Sequence, residues 1–335
     1  MKFRILTISS LVLLASCADK SQPIRIQGEA QGTYYSIAYY DDQQRDLKPQ
    51  IDSLLQSFDQ TASLWVENSL IRRINRNEDS VLNDDFYAML KYSEGIKALT
   101  DGAFNCEIGA LVNLYGFGFK KRADVSDREI DSLVHILHQE TYRIVEDDAG
   151  NHIIRKNYDI EFDFNAIAQG YSVDLLASMF DSLGITSYLI DIGGEVVSKG
   201  KKKDFSSWVV GIERPAKDKY DGQEIETAIA LNNCSVVTSG NYRKYYEKDG
   251  IRYSHTIDPE TGRPVNHSLL SVSVVSDNAT FSDAMATAFM VMGLDNSLKF
   301  IQTHRDQVSA VFFIYDDHGK YKTLATPEFD KLIIQ

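Results

Sequence analysis

The 335-residue chain sets 35 Lys and Arg against 48 Asp and Glu, for a formal net charge of −13. An acidic balance of that size repels phosphate polymers, which excludes nucleic acid as an expected partner. Hydrophobic residues make up 43% of the sequence, enough to bury a sizeable core. Met1-Lys2-Phe3-Arg4 is a short basic start, and Ile5 to Ala15 is an apolar run of signal-peptide length, too short to span a bilayer. It ends in Leu14-Ala15-Ser16-Cys17, which has the form of a bacterial lipobox, with cleavage leaving Cys17 to carry lipid. An ordinary cleaved signal with an incidental cysteine is the alternative, but Cys17 stands directly behind the small residues. A lipoprotein cysteine supplies the several acyl chains that stable anchoring takes. The expected product is an exported bacterial lipoprotein held in the lipid bilayer and facing the periplasm or the cell exterior. Residues 1–16 are then the signal peptide, 17–23 a tether and 24–335 the folded domain. Only Cys106 and Cys234 remain, so one disulfide is conceivable and a disulfide framework or zinc site is not expected.

Residues 24–40 alternate in strand fashion, interrupted by Gly28 and Gly32. Leu47, Ile51, Leu54, Leu55 and Phe58 follow helical spacing, as do Phe86, Met89, Leu90, Ser93, Ile96 and Leu99. Ser126 and Glu129 form a capping box ahead of another apolar helix face. Short strands are predicted near 141–146 and 152–156, then a helix from Ala166 to Leu183 stopped by Gly184. Strands are predicted at 188–192, 208–212, 225–231, 235–237, 269–275 and 308–315. A pair of helices fits 279–292 and 294–303, with Gly293 between them. Helices and strands are interspersed without a regular βαβ rhythm. This predicts an α+β fold, one compact domain with a mainly antiparallel sheet flanked by helices.

Five segments are dense in Gly, Asp, Asn and aromatic residues, the composition of ligand-holding loops. They are Gln31–Tyr35, Ser63–Asn75, Asp101–Gly118, Asp163–Asp174 and Thr238–Thr287, the last in several pieces. Asp283 and Thr287 lie four apart on a predicted helix and share a face, so they offer a carboxylate and a hydroxyl to a hard cation such as magnesium. Two plain alternatives stand beside that reading. Thr280-Phe281-Ser282-Asp283 fits a capping box, and Thr287 can bond back to a carbonyl one turn earlier. His255 and Asp258 invite acid–base chemistry, with Ser239 upstream. No GxSxG elbow supports a serine hydrolase, however, and Asp258-Pro259-Glu260-Thr261-Gly262 is also a good turn. Asp191-Ile192-Gly193-Gly194-Glu195 is either a phosphate-binding turn or a plain strand reversal that needs glycine. Trp65, Phe104, Tyr115, Phe117 and Tyr171 can stack on a planar ring or serve as core.

Taken in order, these segments resemble the ApbE family of FAD:protein FMN transferases, from about Gly28 to about Gly293. The motifs that carry the resemblance are DGAF…VNLYGFG, AxxGYxVD, IDIGGE, TSGxYR…HxIDPxTGxPV and DAxAT. The resemblance implies a magnesium ion held by the Ala168 carbonyl with Asp283 and Thr287. It implies a flavin site built from Gln31, Trp65, Ala103, Phe104, Asn105, Asn165, Tyr171 and Ile257. It implies FAD as substrate and, as partner, an acceptor protein of a membrane or exported redox complex. A Ser or Thr hydroxyl of that acceptor takes FMN while AMP leaves, with His255 or Asp258 orienting the hydroxyl or accepting its proton. Three positions depart from the family pattern: Gln169 where many members have Lys, Asn105 where many have Asp, and Ala286 where some place a third oxygen ligand. An FAD pyrophosphatase, with water in place of the acceptor, would use the same metal site. A flavin-binding lipoprotein without turnover, or a structural lipoprotein with only core aromatics, are the non-enzymatic alternatives.

Overall fold

The first alternating stretch folds back on itself, with Ile24–Ala30 (β1) antiparallel to Thr33–Tyr39 (β2). The computed structural model describes residues 22–117, 126–215, 224–241, 245–248, 251–254 and 256–334. Helices follow at Lys48–Ala62 (α1), Leu70–Asn75 (α2), Asp84–Leu99 (α3), Gly109–Leu114 (α4) and Asp127–Leu137 (α5). A hairpin of Tyr142–Glu146 (β3) and His152–Lys156 (β4) leads to Ala168–Ser182 (α6). Next come Tyr188–Ile192 (β5), Glu195–Lys199 (β6), Trp208–Glu213 (β7), Ile225–Leu231 (β8) and Cys234–Gly240 (β9). The short strands Tyr245–Lys248 (β10), Ile251–Ser254 (β11), Ile257–Asp258 (β12) and Arg263–Pro264 (β13) precede Leu269–Ser276 (β14). Ala279–Thr303 (α7), Ala310–Asp317 (β15), Lys320–Ala325 (β16) and Pro327–Asp330 (α8) complete the described chain.

Eight strands form one sheet in the order β1-β2-β5-β6-β9-β14-β15-β16, with every adjacent pair antiparallel. Its central strands are apolar on both sides, because both faces are covered. Val197 and Val237 face the helices α1 and α6, whereas their neighbours Val196 and Val236 pack under the β7–β8 hairpin. That is why these strands read as continuous apolar runs and not as a clean alternation. α7 packs along β9 and β14 and crosses α6. The α+β reading with a mainly antiparallel sheet holds.

Local signals account for most boundaries. Ser126 accepts from Glu129 N–H and the Glu129 carboxylate returns to Ser126 N–H, the capping box that starts α5. Gly293 leaves the helical conformation at φ 74° and ψ 173°, so the two predicted helices stand on either side of a break within Ala279–Thr303 (α7). Elements that periodicity did not mark include α2 and α4, six residues each, the five-residue central strand β6, the short strands β10 to β13, the four-residue α8, and the edge strand β16, whose residues stay half-buried or exposed. Cys106 and Cys234 are both free thiols, so the conceivable disulfide does not form. Among the described residues no helix is long and apolar enough to cross a membrane.

Candidate active site

The loops at one end of the sheet enclose a cavity of about 730 Å³. Gln31 and Gly32 enter it from the β1–β2 turn, Phe58 and Asp59 from the end of α1, and Trp65 from the loop beyond. Ala103, Phe104 and Asn105 come from the turn after α3, and Asn165 and Ala168 from the start of α6. The β5–β6 turn contributes Gly193 and Gly194, the end of β9 contributes Thr238 to Gly240, and α7 contributes Asp283 and Thr287.

The cation expectation can be tested on the α6–α7 crossing. Asn278, not Thr280, caps α7, its side chain accepting from Phe281 N–H. The N–H groups of Ala279 and Thr280 donate to the two carboxylate oxygens of Asp174 on α6 at 2.9 and 2.8 Å. The capping alternative for Asp283 therefore falls, and its carboxylate is left for another task. It is 4% exposed; Gly170 N–H donates to its Oδ2 at 3.0 Å, and Oδ1 accepts no hydrogen bond among the described residues. Burial pushes this carboxyl up to about 7, with the Asp174 charge adding to the effect against the Gly170 hydrogen bond. Thr287 does not bond back along its helix. Its hydroxyl meets Ser239 Oγ at 3.1 Å, on the cavity wall. Ala168, Asp283 and Thr287 thus face one space, where a carbonyl, a carboxylate and a hydroxyl suit a hard cation.

The charge balance of the wall argues the same way. Asp59, Asp163, Asp191, Glu195, Glu213 and Asp283 line the cavity, and no Lys or Arg does among the described residues. Burial raises the carboxyls of Asp59 and Asp191 above their ordinary range. Carboxylates on the described part of the wall repel a phosphate ester, a repulsion that a bound cation would offset. Among the described residues no three His, Cys, Asp or Glu side chains converge on a metal position.

Elsewhere the cavity suits a planar, hydrogen-bonding ligand. Phe104 is buried at its wall and Trp65, 68% exposed, stands at its mouth. Gln31 accepts from Ser172 Oγ at 3.3 Å, and its buried Nε2 has no partner, a donor waiting for an acceptor. Gly193 and Gly194, at φ 64° and 108°, reverse the chain, and Asp191 Oδ1 accepts from Gly194 N–H at 2.9 Å. A Cβ on Gly193 would come within 2.8 Å of Thr33. The turn is therefore both a strand reversal and a piece of the wall.

The sequence matches the ApbE family over residues 31–312. It is 32% identical to the FAD:protein FMN transferase of Vibrio cholerae, over 98% of both chains. It is 29% identical to that of Escherichia coli, over 99% of this chain and 97% of the relative. The fold superposes on the flavinyl transferase ApbE of Pseudomonas stutzeri with a TM-score of 0.80 at 30% identity, covering 93% of this chain and 97% of that one. The chain belongs to the ApbE family.

Of the flavin contacts expected of an ApbE member, Gln31, Trp65, Ala103, Phe104, Asn105, Asn165 and Ile257 all line the cavity. Tyr171 does not. One turn into α6, it stacks on Phe58 at 5.8 Å and its hydroxyl donates to Asp85 at 3.2 Å, outside the wall. Asp258 also stands apart, as a turn residue. Its Oδ1 accepts from Glu260 N–H at 2.9 Å, its Oδ2 from the Thr261 hydroxyl at 3.0 Å, and its carbonyl from Gly262 N–H at 2.8 Å. The acid–base expectation for Asp258 gives way to this role. His255 and Cys17 lie outside the described residues. Ala286 is fully buried and offers no third ligand, whereas Gln169 reaches the cavity wall in place of the family's lysine. Sequence reasoning missed Asp59 and the β7 wall of Val210, Gly211 and Glu213, which only folding brings to the site. Ser239 had a signal in its TSG motif, but was weighed only as a nucleophile.

Proposed function

We propose that this ApbE member is a magnesium-dependent FAD:protein FMN transferase, exported and anchored through lipidated Cys17. The observation that carries the reading is the buried Asp283 carboxylate, one oxygen free, in a cavity lined by six carboxylates and, among the described residues, by no Lys or Arg. Its relatives' activity supports the reading. Ala168, Asp283 and Thr287 would hold magnesium, which supplies charge neutralisation at the pyrophosphate and at the departing AMP oxygen. Gln31 offers a buried N–H donor to the bound dinucleotide, and Trp65 and Phe104 offer ring surface to the flavin. The Ser or Thr oxygen of an acceptor bonds to the FMN phosphorus, and the phosphoanhydride bond to AMP breaks, AMP keeping the electron pair. The hydroxyl proton goes to a base, for which His255 is the proposed group now that Asp258 is held in its turn.

The test incubates the full chain, purified in detergent, with FAD, magnesium and an unflavinylated redox subunit, then images a denaturing gel under ultraviolet light. A fluorescent acceptor band is expected, at least a hundredfold weaker for Asp283→Ala at unchanged fold. Undiminished labelling by that variant removes the metal assignment. Free FMN and AMP without a band would make the protein a pyrophosphatase, and FAD retained intact would make it a binder.

A further inference from the structure

The β7–β8 hairpin lies outside the eight-stranded sheet, and one of its edges is covered. Ala230 N–H donates to Leu332 O at 2.8 Å and Ile334 N–H to Ala228 O at 2.9 Å, so the C-terminal segment seals the outer edge of β8. These two bonds also set the phase of the hairpin. In an antiparallel pair, a residue whose peptide groups point outward faces a partner whose peptide groups point outward too. Val209 stands opposite Ala230 and Gly211 opposite Ala228. The N–H and C=O groups of Val209 and Gly211 therefore point away from β8, and among the described residues neither makes a backbone hydrogen bond. Both residues are exposed, Val209 at 47%.

An open strand edge invites pairing, and proteins usually blunt it with lysine, proline or a bulge. Val209-Val210-Gly211 has none of these; the only bulge of the strand follows, between Ile212 and Glu213. The open stretch also leads into the active site, since Val210, Gly211 and Glu213 wall the cavity that holds Asp283. A polypeptide that brings a hydroxyl into that cavity must lay its flanking main chain across the rim, where its own N–H and C=O groups need partners. We propose that the acceptor's segment docks as an added strand on the free edge of β7, which places its Ser or Thr over the cavity. The inference rests on the transferase reading. In such pairing the main-chain hydrogen bonds supply affinity, and pockets for alternate side chains supply specificity.

Val209→Pro removes one outward N–H and leaves the β8 ladder intact, because proline suits an edge position. Val209→Ala keeps the N–H. The probe is the recombinant, unflavinylated extracytoplasmic domain of a host redox subunit that the wild-type full chain labels; if no such subunit is labelled, it is the transferase reading that fails. With a labelled subunit in hand, kcat/KM for the acceptor should fall about tenfold in Val209→Pro and less than twofold in Val209→Ala. FAD affinity, read by quenching of flavin fluorescence, should stay within twofold in both. An unchanged acceptor kcat/KM in Val209→Pro overturns the docking site. Should that variant lose its fold or its FAD affinity, hydrogen–deuterium exchange on the wild-type chain decides. A saturating acceptor is expected to slow exchange in peptides covering 208–213, and unchanged exchange there overturns the proposal.

Discussion

A carboxylate that is almost fully buried, with one oxygen bonded to a backbone N–H and the other unpaired, is unstable unless protonated or met by a cation. Asp283 is in that position, and its titration gives the sign of a measurable effect. Its carboxyl would titrate near 3.8 in the unfolded chain and at about 7 in the fold. Between those values the folded state keeps a proton that the unfolded state has lost, so this group's contribution to stability falls as pH rises through that window. Above it the penalty is constant, and a divalent cation relieves it. Magnesium should raise Tm by several degrees at about pH 8 and by much less at about pH 5, where it must displace the proton. Asp283→Asn should remove both the magnesium gain and this part of the pH dependence, as read by thermal unfolding.

At the scale of elements, the site depends on how closely α6 and α7 cross. Gly170 sits at the crossing, where a Cβ would come within 2.4 Å of the Ala279 carbonyl and 2.8 Å of Asp283 Cβ. The same residue's N–H orients the Asp283 carboxylate. Gly170→Ala should force the helices apart, costing about 1–3 kcal/mol in chemical denaturation, as overpacking does. The magnesium concentration for half-maximal stabilisation should rise with it. The GY motif at the start of α6 reads differently in this light. Its glycine allows the crossing and its tyrosine packs behind it on Phe58, so Tyr171 belongs to the support of the site and not to its lining. A motif reports that residues are needed near a site; it does not report which way each side chain turns.

At the scale of the whole molecule, the proposed lipid anchor sets where the sheet and its cavity are held. The proposed attachment to a membrane is the lipid on Cys17. Cys17→Ala should move the chain from the membrane fraction to the soluble fraction of an exporting host, with FMN transfer in detergent unchanged. Fractionation followed by immunoblotting checks the first part and the gel assay the second.

The sequence by itself determined the longer helices, most of the longer strands and most of the ligand loops. Helical spacing, a capping box and glycine stops are local, and five motifs in order carry enough information to place a family. Local signals also left pairs of readings open at single residues, and only tertiary structure chose between them. Asp283 and Asp258 look alike as capping or turn carboxylates in the chain. In the fold Asn278 and Asp174 take over the start of α7, which leaves Asp283 to the cavity, while the 258–262 turn keeps Asp258 for itself. The wall supplied by β7 was invisible for a related reason. Its apolar run is spaced for packing against the sheet, and nothing in that spacing tells which end of the strand the packing brings beside the site.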